Sequence, residues 1–473
     1  GRAVSANHVG PSTASGAVLH EASGRSATYA SLLAAAAGLP APAVSELRLK
    51  SRPEEFRLLG RFVPGVDNGK ILTGRPLFGC DVRLEGMLYA VFEKCPAFGG
   101  KVRSANVEEI RQLPGVTHAF VVEGTTNLSG LMPGVAIVAD SWWQASEARK
   151  QLKVDWAVTH ADSSADYERQ AEILRTQPGA TLRADGDVES ALAAARQVVE
   201  ASYYYPFVAH ANLEPQNCTA LLHESGRLEL WAPSQNPKGG RQLIAETLGI
   251  AEDRIHVNLA RIGGGFGRRL VNDFMVEAAW IAREVRRPVQ LQWTREDDLG
   301  HDFYRPAAWH HFRAGLGDDG RMSAFDHHFV TFGRDGRPVS GADLAPGHYP
   351  AGLVPNFRLR QSLIETHVPT GPWRSPGHSA YCWAYQSFFD EVALAAGRDQ
   401  LEFRLDLLSR SYGEPPLDLA RTAGTLRVAA EKAGWGRALA PGRGLGLAFY
   451  FSHAGHVAEV AEVSVDASKR VTV

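Results

Sequence analysis

Apolar positions along the chain alternate between a spacing of two and a spacing of three to four, and each switch marks a predicted element. Residues 1 to about 60 are rich in Ser, Ala and Gly, and predict one helix over 29–37, closed by Gly38 and Pro40. From Lys70 to Trp156 the pattern sharpens. Segments 87–92, 116–122 and 135–139 read as strands, 107–113 as a short helix stopped by Pro114-Gly115, and 142–152 as a helix leading into a strand at 153–156. The order β-α-β-β-α-β predicts a compact α+β domain. Residues 161–183 are largely polar and read as linker. Strands and helices alternate again from about 197. A strand over 254–259 runs into a cluster of glycines, and the helix after it places Phe274, Ala278, Ile281 and Val285 on one face. A second strong helix, 386–396, ends at Gly397. Residues 457–466 predict a strand, 467–469 a tight turn, and 470–473 a returning strand.

Composition narrows the class. The 473 residues are 44% hydrophobic and 22% charged, enough for two or three domains with real cores. Fifty basic residues face 52 acidic ones, a net charge of −2, so nothing demands nucleic acid or an anionic membrane as partner. No apolar run is long enough to span a bilayer. The four cysteines, Cys80, Cys95, Cys218 and Cys382, form no Cys-x-x-Cys pair. An iron–sulfur cluster or structural zinc held by this chain alone is therefore not expected. The chain opens on Gly1 without Met or signal pattern and stops inside a hairpin, which reads as a fragment. The compartment stays open between cytoplasm and periplasm.

The sharpest chemical signal is Gly263-Gly264-Gly265-Phe266-Gly267-Arg268-Arg269. Closely spaced glycines let backbone N–H groups approach a ligand, and a helix start with Arg268 and Arg269 would add positive charge, which suits an anionic or oxo-bearing cofactor. Arg268 stands where the dinucleotide fingerprint needs its last glycine, and no Gly-Lys-Ser/Thr follows to make a P-loop. The competing reading is a tight turn with solvated arginines. Three further segments are distinctive: His210-Ala211-Asn212-Leu213-Glu214-Pro215, Trp231-Ala232-Pro233-Ser234-Gln235-Asn236-Pro237, and Pro369-Thr370-Gly371-Pro372-Trp373-Arg374-Ser375-Pro376-Gly377-His378. Gln235 sits in a proline-bracketed turn that could aim its amide. Arg374 lies in a stiff loop, or is a surface arginine stacked on Trp373. Glu214 and His210 either line a pocket or stabilise a turn. His301, His310, His311, His327 and His328 invite a metal site, but adjacent residues point to opposite faces of a strand, which speaks against a shared ion.

Taken in order, these segments resemble the large subunits of isoquinoline 1-oxidoreductase, a branch of the xanthine oxidase and aldehyde oxidase superfamily. The resemblance runs from about Ser45 to the last residue. It also includes Thr73-Gly74, Phe78-Gly79, Asp81-Val82-Arg83-Leu84, Trp293 to Asp298, His301 to Pro306, and Leu401-Glu402-Phe403-Arg404. It implies an α+β fold: a tail of a preceding segment over 1–60, an α/β hammerhead domain over 65–160, a linker over 161–195, and a molybdopterin-binding domain of mixed sheets and helices over 196–473, incomplete at its end. The implied cofactor is molybdenum held by molybdopterin, usually as the cytosine dinucleotide. Gln235, Gly264, Gly265, Phe266, Gly267, Arg268 and Arg374 would bind it, while Leu270, Glu214 and Trp373 would line the substrate pocket. The family's catalytic glutamate, in a Gly-rich segment near the C-terminus, has no match before Val473, and its early glycine–glutamine motif none before residue 45. No catalytic residue is expected in this chain, which should be inactive alone. Leu270 replaces the acidic residue of purine hydroxylases, favouring an N-heteroaromatic ring or an aldehyde. The implied partners are a small [2Fe–2S] subunit and, in some relatives, a c-type cytochrome. The alternatives are a cofactor-free binding or assembly module, and a nucleotide-binding protein using the glycines for phosphate.

Overall fold

The computed structural model describes residues 16–20, 23–47, 49–56, 58–127, 129–158, 160 and 162–473. The chain divides into two units, 1–75 and 76–473. In the first, a hairpin of Ala17–His20 and Arg25–Thr28 precedes the helix Tyr29–Ala37. That helix has its predicted bounds: the Thr28 side chain accepts from Ser31 N–H, and Gly38 closes the end.

The second unit is built on two large sheets. One has seven strands, in the spatial order Ile255–Leu259, Leu228–Ala232, Asn217–Leu222, Val289–Gln292, Leu88–Lys94, Gly134–Ala139 and Val116–Val122. The region expected to stand apart as 65–160 thus shares a sheet with strands from 217–292. It keeps a small core of its own on one face, made of Val91, Ile110, Ala119, Val135, Ile137, Ala139, Ala145 and Ala148. An unpredicted strand, Lys101–Ala105, pairs with Val154–Ala157. The opposite face packs on the helix Asp273–Val285, where Phe274, Ala278, Ile281 and Val285 are all buried as their spacing requires.

The other sheet has six strands, ordered Ala180–Asp185, Asn356–Glu365, Met322–Arg334, Ala308–Leu316 and Gln197–Tyr205, with Arg337–Pro338 pairing the third. The helix His378–Ala395 covers it, beginning well before the predicted 386. His310 and His327 lie on the face that carries Phe312 and Phe329; His311 and His328 pair across the opposite face. Among the described residues no group of three or more His, Cys, Asp or Glu side chains could hold a metal ion, and no helix is long and apolar enough to cross a membrane.

The segment read as a linker is structured. Residues 161–195 contain the helix Ser164–Arg175, the edge strand Ala180–Asp185 and the helix Val188–Ala193. Tyr167, Ala171, Val188 and Leu192 bury themselves against the six-stranded sheet. So few apolar side chains among many polar ones left no strong period to read. At the other end, Gly455–Val465 pairs with Arg443–Ser452 and with the short returning strand Val471–Thr472.

Candidate functional site

Strands Leu228–Ala232 and Ile255–Leu259 run parallel, joined by the helix Pro237–Leu248. Loops at the carboxyl ends of parallel strands commonly carry ligand sites. Here the first strand ends in the turn bearing Gln235 and the second in the glycine run. Asn236 caps the helix by accepting from Gly239 N–H, and Pro237 occupies the first turn. The turn is therefore stiff, and Gln235 N–H donates to the Arg269 carbonyl at 2.9 Å.

The glycine run, the Gln235 turn and the Arg374 loop converge. Gln235 Oε1 accepts from Gly267 N–H at 3.1 Å, and a Cβ added at Gly265 would stand 2.4 Å from that same oxygen. At Gly267, φ is 112° and a Cβ would fall 1.5 Å from the Pro372 carbonyl oxygen, so only glycine allows the two backbones to meet. Three non-glycine residues with positive φ, Ala211, Phe266 and Ser375, sit one on each of three segments at this junction. Such conformations persist where surroundings over-determine them, as at ligand clamps.

Three backbone N–H groups of the run, those of Gly264, Gly265 and Phe266, donate to no group among the described residues, and neither does Gln235 Nε2. Phe266 and Leu270 are 44% and 39% exposed, and Gln235 and Arg374 are exposed. The Asn212 side chain, beside Gly264, is fully buried with neither amide atom partnered. Free donors on a rigid, glycine-cleared backbone fit an oxo-bearing or anionic group.

Arg268 and Arg269 do something other than expected. Neither is solvated: both side chains are completely buried. Arg268 donates to both carboxylate oxygens of Asp273 at 2.8 Å, and its Nε pairs with Asp302 at 3.1 Å. Its guanidinium lies between the rings of Trp293 and Phe303, at 5.3 and 5.0 Å. Burial works against its charge, but Asp273, Asp302 and Asp298 more than offset this and hold its pKa above the ordinary arginine value. Arg269 donates to the carbonyls of Pro233 and Glu214 and pairs with Glu214 Oε2 at 3.2 Å. Burial pulls its pKa down to about 10 despite Glu214. The helix also does not start at the run: a 3-10 turn, Arg268–Leu270, intervenes before Asp273–Val285. The run is thus held from beneath by ion pairs, with its N–H groups rather than its arginines offered outward.

Glu214 was expected to line a substrate pocket; it is instead a buried tie. Its Oε2 accepts from Gly263 N–H at 2.8 Å, and its Oε1 from Cys80 N–H at 3.3 Å and Asn217 Nδ2 at 3.0 Å. Every one of these donors belongs to the scaffold. Trp373 is half-buried, and the arginine over its ring is Arg305, at 5.5 Å, not Arg374. Arg374 itself pairs with no described group. A cavity of about 580 Å³ borders the start of the Arg374 loop, lined by Pro369, Thr370, Phe303, Phe98, Arg334 and His367 among others. Sequence reasoning gave no role to Asp302 or Asp273. Asp302 lay inside a quoted motif, but its partners are distant along the chain and leave no local signal.

With the fold and this junction described, residues 173–407 match the family model of the molybdopterin cofactor-binding domain. The chain is similar to subunits of several oxidoreductases, a molybdenum-binding one among them. It is 29% identical to the isoquinoline 1-oxidoreductase beta subunit of Brevundimonas diminuta, over 97% of this chain and 63% of that one. It is 28% identical to a membrane-bound aldehyde dehydrogenase (pyrroloquinoline-quinone) of Gluconacetobacter polyoxogenes, over 84% of this chain and 55% of that one. A nicotinate dehydrogenase subunit of Pseudomonas putida is 28% identical over 81% of this chain and 32% of its own length. The chain thus spans less than two thirds of each of these relatives. Among solved structures, quinoline 2-oxidoreductase of Pseudomonas putida 86 superposes with a TM-score of 0.63 at 20% identity, covering 82% of this chain and 57% of that one. Aldehyde oxidoreductase of Desulfovibrio desulfuricans gives 0.64 at 18% identity, covering 83% and 50%.

Proposed function

We propose that this chain is the molybdopterin-binding part of an oxidoreductase that hydroxylates N-heteroaromatic rings or oxidises aldehydes with oxygen taken from water. The observation that carries the reading is the set of unpartnered N–H donors at Gly264, Gly265 and Phe266, held beside Gln235 and the Pro372–Arg374 loop. When bound, the molybdenum centre would supply the oxygen transfer and take up the two electrons. The chain's own residues supply position. Backbone donors of the run, with Gln235 Nε2, would hold oxo groups or pterin, and Arg374 would approach a phosphate or other anionic part from the facing loop. Leu270, exposed beside the run and uncharged, favours an apolar aromatic or aldehyde substrate over a purine. Further proposals are the cytosine dinucleotide form of the cofactor, a hammerhead role for the region around 65–160, and electron transfer to a separate [2Fe–2S] subunit, with a c-type cytochrome as a later acceptor.

Metal and pterin analysis tests the reading. The complete gene product, purified from cells grown with molybdate, should carry about one molybdenum and one pterin per chain. Reproducible absence of both from folded protein overturns it.

A further inference from the structure

We infer that His210 is a positioning residue that latches the loop carrying Trp373 and Arg374 onto the glycine run. The reading of the site as cofactor-binding explains what the latched loop serves; the latch itself is argued from geometry alone.

The loop needs an anchor. Its start is fixed where Tyr304 N–H donates to the Pro369 carbonyl and Gly371 N–H to the Tyr304 carbonyl, each at 3.1 Å. Its end is fixed by turns into the helix His378–Ala395, with His378 N–H on the Pro376 carbonyl at 2.8 Å. Between these, over 372–374, the one hydrogen bond to another segment among the described residues joins His210 Nε2 to the Pro372 carbonyl, at 3.1 Å. That carbonyl is the same oxygen that Gly267 is cleared to admit. The loop's height over the run is therefore set where His210, Pro372 and Gly267 meet.

His210 is itself rigid. It is 5% exposed, and Asp302 takes both its backbone N–H and its Nδ1, the latter at 2.9 Å. Asp302 also accepts from Phe303 N–H at 2.7 Å and pairs with Arg268, which is locked to Asp273. Both ring nitrogens of His210 face oxygens, the Asp302 carboxylate on one side and the Pro372 carbonyl on the other. The chain Asp273–Arg268–Asp302–His210–Pro372 thus runs from the foot of a buried helix to the exposed loop. A residue that merely filled space would need neither nitrogen aimed in this way.

The two nitrogens can be separated chemically. His210→Asn keeps a donor near Nδ1 for Asp302 but cannot reach Pro372, whereas His210→Gln places an amide donor near Nε2. Amide hydrogen exchange on the whole protein reads the result. Asn should raise exchange at Gly371 and His378, the bonded amides at the loop's two ends, by about 3- to 10-fold, the value of one net hydrogen bond, and leave the strand Ala308–Leu316 unchanged. Gln should stay within about twofold of native over the same residues. If Asn and Gln behave alike, or if exchange in the loop and the strand rises together, the latch is overturned. Should Asn fail to fold, Gly267→Ala strikes the same contact from the other side, because its Cβ must push the Pro372 carbonyl off His210 Nε2. Loop exchange should then rise by a comparable factor, and no rise overturns the inference. Molybdenum content speaks to the proposed function and amide exchange to the latch, so either can fail alone.

Discussion

Two regions of the 76–473 unit bury polar side chains by opposite means. Beneath the glycine run the groups are charged and paired: Arg268 with Asp273 and Asp302, and Arg269 with Glu214. Between the six-stranded sheet and the helix His378–Ala395 the groups are neutral and linked in line. Tyr385 OH meets His327 Nδ1 at 2.8 Å, His327 Nε2 meets His310 Nδ1 at 3.0 Å, and His310 Nε2 meets the Tyr205 hydroxyl at 3.2 Å. Phe312, Phe325, Phe329 and Phe388 surround this line. Fixed charges hold a backbone in one place across the ordinary pH range but fail badly when one partner goes. A neutral line tolerates an apolar core but not an added proton. The site-bearing loop rests on the first kind.

The largest effect expected follows from removing one charge. Arg268→Met leaves Asp273 and Asp302 buried without their cation, a loss of about 3–5 kcal/mol for a broken buried pair. Denaturant unfolding should show this at every pH from 6 to 8. A loss below about 1 kcal/mol would mean that the carboxylates find other partners, and the contrast between the regions would fail on its first side.

Acid should find the second region. Burial holds His310 and His327 well below the ordinary histidine pKa of 6.5 and takes His348 to about 3; on the sheet's other face it takes His311 and His328 to about 4. Below pH 6.5 the unfolded chain binds protons that the folded chain refuses. Stability is therefore full above that pH and falls as pH drops from 6.5 towards 4. His327→Gln removes one such group and should flatten the slope of stability against pH by about 1.4 kcal/mol per unit, whatever it does to stability at neutral pH. Stability curves measured between pH 6.5 and 4.5 decide this. An unchanged slope would show that His327 is not among the groups resisting protonation.

How far the sequence reaches differs in the same way between local and distant causes. The helix Tyr29–Ala37 and the strand Val116–Val122 have their predicted bounds because Gly38, Pro114-Gly115 and the apolar period act within a few residues. The strand Lys101–Ala105 carries one large apolar residue, Val102, and draws its stability from Val154–Ala157, so it left no pattern. Residues 161–195 failed as a linker for the same reason: Tyr167 and Leu192 are buried by a sheet assembled from strands far along the chain. At the site, the tight backbone of 263–267 was legible from its glycines, and the meeting with Gln235 and the Arg374 loop followed from the resemblance. The burial of Arg268 and Arg269 was not legible. Two adjacent arginines after a glycine run read as exposed until Asp302 and Glu214 are brought against them.

The smallest effect on stability should be the most telling about the site, and it lies in how Gly265 differs from Gly267. At Gly267 an added Cβ meets a backbone carbonyl, which cannot move without the loop. At Gly265 the nearest atoms are those of the Gln235 amide, the end of an exposed side chain that can swing aside. Gly265→Ala therefore stays within about 1 kcal/mol of native in denaturant unfolding. The swing breaks the bond from Gly267 N–H to Gln235 Oε1 and carries Nε2 away with it. If that amide is seated to hold the cofactor, molybdenum content in the complete protein should drop several-fold while the fold is kept. Full molybdenum content in Gly265→Ala would show that the seat of Gln235 is incidental, leaving the backbone donors and the latched loop to hold the group by themselves.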